Sequence, residues 1–369
     1  MDFSLNLPIN SVSFGQVCVS LLREMHKRDM QPCLFPFGGT VDLSSQEPDK
    51  DFSSWLDSCI KKSLKEHKRT SPIIKLWHLN GSLESFSEKQ LLISFYELDK
   101  PTEEEVNIAR NNYKMLFTSD YTTEIFRKNN VECDTIKLGF DSYNFKRTGK
   151  KYFIDDKIVF NLVGKFEKRK HHEKIISAWV KKYGNNKKYY LNCAVFNTFL
   201  DPQQNTELVK RAMGGKDYFN VNLLGFMPIN KMYNDYLNCG NIVIGMSGGE
   251  GWGLPEFQSV CLGKHAVILN AHSYKMWANE KNSVLVNPIG KIPSADGMFF
   301  KEGSPFNQGN IFDFEEEEFI SACEDAVKRY ESNPLNEEGV KLADEFTCSK
   351  TLDQILGHLP NEEGAPSLP

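Results

Sequence analysis

The sequence has no long apolar run, no paired-cysteine motif and no basic leader. None of its 369 residues belongs to an apolar stretch approaching the roughly 18 residues that a membrane-spanning helix needs. The nine cysteines are an odd number without a Cys-x-x-Cys pair, which argues against a disulfide framework or a zinc site. The opening MDFSLNLPIN lacks the basic and apolar regions of a secretory signal. These absences predict a cytoplasmic protein.

The composition is that of a folded globular chain, with 40% apolar and 25% charged residues. Its length allows two domains with separate cores. The net charge of −5 is unevenly distributed, because residues 151–310 carry +7 and residues 311–369 carry −11. A positive middle region suits an anionic ligand such as a nucleotide diphosphate, and an ordinary scatter of surface lysines explains it equally well.

Strand and helix patterns alternate along the chain. Apolar segments predict strands at 3–9, 32–37, 73–79, 91–96, 115–119 and 136–138 in the first half, and at 158–164, 189–196, 221–224, 242–246 and 266–269 in the second. Residues 42–71 are polar and charged, and acidic helices are predicted at 315–330 and 336–346. The alternation predicts an α/β protein with two doubly wound domains, residues 1–147 and 148–345.

The richest candidate site is the loop after the strand at 242–246, which reads SGGEGWGLP from Ser247 to Pro255. Its glycines allow the backbone to approach a ligand closely, and Pro255 suits the first turn of a helix. Amides at such a helix N-terminus form an anion site for a pyrophosphate. Glu250, just ahead of the helix, can accept hydrogen bonds from sugar hydroxyls.

This segment resembles the signature of the family 4 nucleotide-sugar glycosyltransferases, which are retaining enzymes. The family has a glutamate, then Gly-aromatic-Gly-Leu-Pro, and a second glutamate eight residues after the first. The resemblance assigns donor binding to Gly249, Glu250, Gly251, Trp252, Gly253, Leu254 and Gln258. In the family the last position is a carboxylate that holds the donor ribose. The glutamine found here can still accept one such hydrogen bond and donate another.

A second match is the segment VGKFEKRK from Val163 to Lys170. It resembles the family's strand followed by Gly-Arg and, a few residues later, a lysine. The resemblance implies that Gly164 approaches the donor and that Lys165 and Lys170 neutralise the donor diphosphate and the leaving nucleotide. Lysine at 165 keeps the positive charge of the family's arginine but lacks its bidentate geometry.

The resemblance covers about residues 3–355 and implies a GT-B fold, in which two Rossmann-like domains face each other across a cleft. The first domain would bind the acceptor and the second the donor, with 346–369 crossing back to the first domain. The resemblance places the nucleobase at Gly225, Phe226 and Met227, and it brings the first loop, Ser13, Phe14 and Gly15, near the diphosphate. A plain strand-to-helix turn accounts for that first loop equally well.

The first half of the chain, which the resemblance assigns to the acceptor, offers fewer sequence signals. The histidine that the family often places after the fourth strand is missing, and Glu97 or His78 is a candidate to replace it. Both residues also fit satisfied polar groups at strand ends. His171 and His172 are predicted to be structural residues on an exposed helix. The basic run at 61–69 predicts a solvated helix face, with a membrane surface or a nucleic acid as lesser alternatives.

The function implied by the resemblance is transfer of a sugar from a UDP-, GDP- or ADP-sugar to an acceptor hydroxyl with retention of configuration. The acceptor would be a sugar, a lipid-linked sugar or another hydroxyl compound. No Asp-x-Asp pair occurs, so a metal-independent reaction without a cofactor is predicted. The alternatives are an epimerase-like or phosphorylase-like relative and a donor-binding protein without catalysis, the latter motivated by Gln258 and the missing histidine.

Overall fold

A computed structural model describes residues 2–150 and 156–360. They form two compact units. The first unit contains the described residues of 1–144, 303–308 and 346–369, and the second contains those of 145–302 and 309–345. The short stretch 303–308 therefore belongs to the first unit, although the surrounding chain belongs to the second. No feature of the sequence predicts that assignment.

The first unit is built on a six-stranded parallel sheet with the order β2-β1-β3-β4-β5-β6. Its strands are β1 Ser4–Ile9, β2 Cys33–Val41, β3 Ile73–Leu76, β4 Gln90–Ser94, β5 Lys114–Phe117 and β6 Cys133–Thr135. From β1 the chain adds β2 on one side and then β3 on the other, so the topological switch point lies between β1 and β3. Ligands of open parallel sheets bind outside the carboxyl ends of the strands at such a point.

Four helices connect these strands, namely α1 Ser13–Lys27, α2 Lys50–Glu66, α3 Glu103–Arg110 and α4 Asp120–Lys128. Helix α2 occupies much of the polar stretch 42–71, in which only the basic run 61–69 was predicted to be a helix face. Only four of its residues are buried, Phe52, Leu56, Cys59 and Ser63, so its apolar stripe is thin. The predicted strand at 136–138 was wrong in position, because the last ladder pairs Cys133–Thr135 with β5.

The second unit contains another six-stranded parallel sheet, with the order β12-β11-β10-β7-β8-β9. Its strands are β7 Ile158–Val163, β8 Tyr189–Ala194, β9 Val221–Leu223, β10 Ile242–Gly245, β11 His265–Leu269 and β12 Val284–Val286. The chain proceeds from β7 to β8 and β9 on one side and then returns to add β10 on the other. The switch point of this unit therefore lies between β7 and β10.

The helices of the second unit are α5 His172–Tyr183, α6 Pro202–Ala212, α7 Asn230–Cys239, α8 Leu254–Cys261, α9 Glu316–Ser332 and α10 Glu337–Glu345. Short 3-10 helices precede α5 and follow β11, at Lys168–Lys170 and His272–Met276. An antiparallel hairpin of β13 Gly290–Pro293 and β14 Asn310–Asp313 completes the unit. This hairpin was not predicted.

The chain ends within the first unit, where helix α11, Cys348–Gly357, packs on α1. The Arg28 guanidinium donates a hydrogen bond of 2.6 Å to Asp353. A Cβ atom on Gly139 would lie 2.3 Å from the carbonyl carbon of Thr347, so only glycine allows this close passage of the two backbones. Among residues 2–150 and 156–360, no helix is long and apolar enough to cross a membrane.

Candidate functional site

Two loops meet at the switch point of the second unit and bring together a buried lysine and a buried glutamate. Lys170 follows β7, Glu250 follows β10, and the two strands are hydrogen-bonded neighbours. The Lys170 Nζ atom lies 2.5 Å from Glu250 Oε1. An Arg169 guanidinium nitrogen lies 2.9 Å from the same oxygen. The two motifs singled out in the sequence thus form one charged cluster.

Gly164 allows Lys170 to reach this position. Its φ of +110° lies in the region that favours glycine. A Cβ atom there would stand 2.8 Å from Lys170 Cε and 2.9 Å from Lys170 Cδ. The space that a side chain would need is therefore filled by the lysine stem. Packing against Lys170 therefore explains why glycine is needed directly after β7.

The loop carrying Glu250 is fixed by backbone hydrogen bonds on two sides. The Gly248 amide donates to the Arg169 carbonyl at 2.8 Å, and the Phe312 amide donates to the Gly248 carbonyl, also at 2.8 Å. A Cβ atom on Gly248 would come within 2.4 Å of the Phe312 carbonyl oxygen. His272 Nε2 donates to the Ser247 carbonyl at 2.8 Å. These contacts preorganise the carboxylate of Glu250 before any ligand arrives.

The charges of the cluster perturb each other strongly. Burial opposes ionisation of Glu250, but the Arg169 and Lys170 cations outweigh it and hold the pKa of Glu250 well below its usual range. Burial also opposes the charge of Lys170, but Glu250, Glu256 and Glu167 together outweigh that penalty, so the pKa of Lys170 is raised. Both groups are therefore charged at neutral pH. Arg169 additionally pairs with buried Glu167 at 2.7 Å.

The neighbouring histidines are buried, so the prediction of an exposed helix at His171 and His172 was wrong. His171 joins the 3-10 helix to α5 with a φ of +53°, and its Nε2 donates to the Phe312 carbonyl at 2.7 Å. His172 is 2% exposed, and burial lowers its pKa to about 3. Both therefore help to position the Lys168–Lys170 turn as neutral side chains.

Helix α8 begins directly after the glycine loop and carries further buried polar groups. Gln258 is buried, and its Oε1 atom has no hydrogen-bond partner among the described residues. Trp252 is buried, its ring contacts Phe257, and its carbonyl accepts a hydrogen bond from Trp277. The side chain of Trp252 therefore belongs to the core, and only the backbone of this motif position is placed to meet a ligand.

The other predicted donor residues divide into those away from the Lys170–Glu250 pair and those next to it in the glycine loop. The Lys165 ammonium stands over two aromatic rings, 4.1 Å from the Phe299 centroid and 5.2 Å from that of Phe199. Gly225, Phe226 and Met227 follow β9, the edge strand, two positions from β7, and Phe226 is exposed. Gly249, Gly251, Gly253 and Leu254 surround Glu250 along the chain, and the Gly249 carbonyl accepts a hydrogen bond from Arg169.

A cavity of about 570 Å³ lies beside α5 and α6 in the second unit. Phe166, Leu200 and Phe299 supply apolar walls, and Lys174 and Arg211 supply charge. Lys174 already pairs with Asp313 at 2.7 Å, and Arg211 with Glu173 at 3.1 Å. These two cations are therefore each paired with a carboxylate.

The switch point of the first unit is aromatic where that of the second is charged. Phe14, at the start of α1 after β1, packs against His78 with the ring centroids 4.4 Å apart and against Phe95 at 4.5 Å. Trp77, which follows β3, stacks on Phe37 at 4.0 Å. We call Phe14, Phe37, Trp77, His78 and Phe95 the aromatic cluster.

The other first-unit candidates lie around this cluster. Ser13 begins α1, and a Cβ atom on Gly15 would come within 2.3 Å of the Asn10 carbonyl oxygen. Gly15 thus allows the first loop to pack on its own helix. His78 is exposed and Glu97, beyond the end of β4, is half-buried. Sequence reasoning missed Phe37, Trp77 and Phe95. Trp77 and Phe95 directly follow β3 and β4, and Phe37 lies within β2.

Sequence reasoning also missed Arg169, Glu167, Glu256 and Tyr274. The first two stand inside the KFEKRK motif, and Glu256 follows Pro255 in the glycine-loop motif. Across the described ranges, 2–150 and 156–360, no group of three or more His, Cys, Asp or Glu side chains is arranged to hold a metal ion. Metal independence stays a prediction.

Two parallel doubly wound sheets, each with its candidate site at the switch point, define the class of the fold. It is the α/β architecture of the GT-B glycosyltransferases, which confirms the predicted fold class. No protein-family model and no curated protein sequence matches the chain.

Solved structures do match it over almost its whole length. Sucrose-phosphate synthase from Thermosynechococcus elongatus is 13% identical with a TM-score of 0.64, covering 96% of this chain and 97% of that one. HepE from Anabaena in complex with UDP and glucose is 13% identical with a TM-score of 0.63, covering 96% and 97%. Trehalose-6-phosphate synthase OtsA is 9% identical with a TM-score of 0.66, covering 96% and 98%. At such identities the likeness establishes the fold.

Proposed function

We propose that this protein is a glycosyltransferase that takes its sugar from a nucleotide-sugar donor bound in the second unit. The observation that carries the proposal is the buried Lys170–Glu250 pair, with 2.5 Å between Lys170 Nζ and Glu250 Oε1 at the switch point of the sheet. The similar structures are glycosyltransferases and synthases of sugar phosphates, and one holds UDP and glucose. Fold and site chemistry therefore favour the same class of reaction.

In this proposal Lys170 binds the donor diphosphate and stabilises the negative charge that develops as the bond from sugar to phosphate breaks. A fixed cation in a buried site stabilises such charge without reorganisation at the moment of reaction. Glu250 accepts hydrogen bonds from donor sugar hydroxyls and keeps Lys170 charged. The unpartnered Oε1 of Gln258 is available to a ribose hydroxyl.

Lys165 is proposed to approach the diphosphate from the start of its loop. Gly164, Gly249, Gly251, Gly253, Leu254 and the backbone of Trp252 would surround the donor, and Gly225, Phe226 and Met227 would meet the nucleobase. The exposure of Phe226 beyond the edge strand fits contact with a flat base. UDP-glucose is the first donor to test, with GDP- and ADP-sugars as the alternatives.

We place the acceptor at the aromatic cluster of the first unit, with Ser13, Phe14 and Gly15 at its edge. Aromatic faces bind the apolar faces of sugars and other flat groups, while neighbouring polar groups orient the reacting hydroxyl. His78 and Glu97 are the proposed polar residues. A sugar or lipid-linked sugar is the proposed acceptor, and retention, metal independence and a cytoplasmic location complete the proposal.

The test is an assay of nucleotide release from UDP-, GDP- and ADP-glucose, with and without candidate sugar acceptors. The wild-type chain should turn over at least one donor, and EDTA should leave the rate unchanged. Lys170→Met should reduce the rate by about a hundredfold or more, the range expected for loss of a preorganised electrostatic group. Lys181→Met, which alters an exposed lysine of α5, is the matched control. If no donor is bound or turned over, the proposed function is wrong.

A donor-binding protein without catalysis is the second candidate, because Gln258 replaces a carboxylate of the family motif. It would bind a nucleotide sugar but release no nucleotide with any acceptor. Calorimetric binding beside the turnover assay separates the two functions. Gln258→Glu distinguishes them further, since gain of turnover in that variant alone would identify a lapsed enzyme.

A further inference from the structure

A third carboxyl group lies beside the Lys170–Glu250 pair and has no cation of its own. Glu256, in the first turn of α8, is 2% exposed. Its Cγ atom would lie 2.7 Å from a Cβ atom on Gly245, the last residue of β10. Its Oε2 atom would lie 3.3 Å from a Cβ atom on Gly253. Two glycines thus leave the space in which this side chain is enclosed at the switch point.

Burial outweighs what the surroundings offer to a charge on Glu256, since the nearby Lys170 ammonium already pairs with Glu250. The Glu256 Oε2 atom and the hydroxyl of the neighbouring Tyr274 are both buried and without a hydrogen bond of standard geometry in the described structure. A Cβ atom on Gly253 would also contact the Tyr274 ring, so the phenol and the carboxyl border the same glycine. An isolated buried carboxylate is costly, which favours its protonated form.

The charges of the cluster also favour a protonated Glu256. Arg169 and Lys170 are the two cations, and Glu167 and Glu250 already pair with them. With Glu256 protonated the cluster is neutral overall. With Glu256 ionised, three carboxylates face two cations, and the net charge becomes negative where a diphosphate is proposed to bind. The proton on Glu256 therefore decides the charge that the donor meets.

We propose that Glu256 is a positioning residue that acts through Lys170, so that donor binding is coupled to uptake of a proton by Glu256. The inference rests on the proposed function, because it assumes that the anionic donor binds at Lys170. A bound diphosphate would add negative charge near Glu256 and favour its protonated form further. By linkage, protonation of Glu256 then strengthens donor binding.

Within this cluster, Glu256 is the group that titrates near neutral pH. Burial raises the pKa of Glu256 to about 7, with Lys170 lowering it and Glu250 raising it. The tyrosines facing it, Tyr233 and Tyr236 from α7 and Tyr274 from the 3-10 helix, all have pKa values raised above the ordinary value, chiefly by burial. Burial lowers the pKa of nearby His172 to about 3 and that of His272 to about 4.

The experiment measures the affinity of the folded full-length protein for an intact nucleotide sugar between pH 6 and pH 8.5. The probe is whichever of UDP-, GDP- and ADP-glucose binds most tightly. An intact nucleotide sugar is used because a terminal phosphate has a second pKa of about 6 and would itself titrate. We expect the wild-type Kd to rise about threefold to tenfold over this range.

Glu256→Gln imitates the protonated carboxyl in shape and charge. Its Kd should stay near the wild-type value of pH 6 across the whole range. Glu318→Gln, an exposed glutamate of α9, is the matched control and should follow the wild type. A wild-type Kd that does not change with pH, or a Glu256→Gln variant that keeps the wild-type pH profile, would overturn the inference.

Proton uptake by the wild type alone provides a measurement that requires no variant. Calorimetry at pH 7.5 in buffers of different ionisation enthalpy should show that roughly half a proton is taken up on donor binding. No uptake would refute the coupling even if Glu256→Gln fails to fold. If none of the three nucleotide sugars binds, the proposed function itself fails. Binding without uptake leaves that function intact and removes only the role of Glu256.

Discussion

The two switch points of this chain differ in chemistry although each lies beside the first strand of its sheet. In the second unit, cations and carboxylates are buried together. Neighbouring side chains fill the space beside the loop glycines, as the Lys170 side chain does beside Gly164. In the first unit, aromatic rings from the start of α1, from β2 and from the segments after β3 and β4 pack against each other. A switch point therefore does not by itself determine the kind of ligand.

The difference indicates a division of labour. A preorganised buried charge suits a constant anionic part of a substrate, because its energy depends on fixed geometry. A partly exposed aromatic surface tolerates variation in its ligand, since stacking is less directional than a buried ion pair. We therefore expect donor recognition to depend on the second unit and acceptor recognition on the first. The following predictions can break or sharpen that expectation.

The largest effect is expected from Glu250→Ala. It leaves Lys170 and part of the charge of Arg169 buried without their carboxylate, and breaking a buried ion pair in this way costs about 3–5 kcal/mol. The free energy of unfolding, measured by urea denaturation at pH 7.5, should fall by that amount, and donor turnover should be lost. Glu318→Ala on exposed α9 should change neither. A stable Glu250→Ala protein with normal turnover would contradict the charged cluster as the donor site.

Gly164→Ala should have the next largest effect. The new Cβ atom would collide with the Lys170 stem, and the φ of +110° would be strained for alanine. We expect donor affinity to fall about a hundredfold, which is about 2.7 kcal/mol, because Lys170 is displaced. Gly149→Ala, where a Cβ atom meets open space, is the matched control. Unchanged donor affinity would show that Lys170 does not contact the donor.

The sequence predicted Lys170 and the glycine loop around Glu250 as parts of one site because each depends on a local pattern. A glycine loop after an apolar strand and a lysine shortly after another strand can be recognised without knowing the fold. Parallel strands then bring the two together by topology. The reason for Gly164 could not be predicted, because it depends on the path of the Lys170 side chain. The burial of His171 and His172 also depends on tertiary packing, against Phe312 and the end of β7.

Elements that depend on distant pairing were missed for the same physical reason. The hairpin of β13 and β14 forms between segments far apart in sequence, and α11 is stabilised by its contact with α1. The part of helix α2 before the basic run was missed because a stripe of four buried residues is weak beside the many charges of the helix. The aromatic cluster comes from α1, β2 and the segments after β3 and β4, none of which is distinctive alone. The fold class and the meeting of the two second-unit motifs were therefore predictable from the sequence, and the aromatic cluster of the first unit was not.

A moderate effect on stability is expected from Glu256→Gln, in a direction that depends on pH. Because folding raises the pKa of Glu256, its contribution to stability is fully present below the unfolded pKa and is lost as pH rises towards about 7. Between pH 5 and pH 8 the wild type should lose on the order of 2 kcal/mol relative to Glu256→Gln. Urea denaturation at both pH values checks this. A constant difference between the two proteins would show that Glu256 does not titrate on folding.

The smallest effect is expected in the first unit, from Trp77→Ala. Removing one wall of the aromatic cluster should raise the KM for the acceptor about tenfold, equivalent to 1.4 kcal/mol, and leave the Kd for the donor unchanged. Trp55→Ala, at another partly buried tryptophan of the same unit, is the matched control for general destabilisation. A change in donor affinity with Trp77→Ala would contradict the division of labour, because that residue belongs to the unit assigned to the acceptor. An unchanged KM for every acceptor would instead remove the aromatic cluster from the acceptor site, while the Lys170–Glu250 cluster would still account for donor binding.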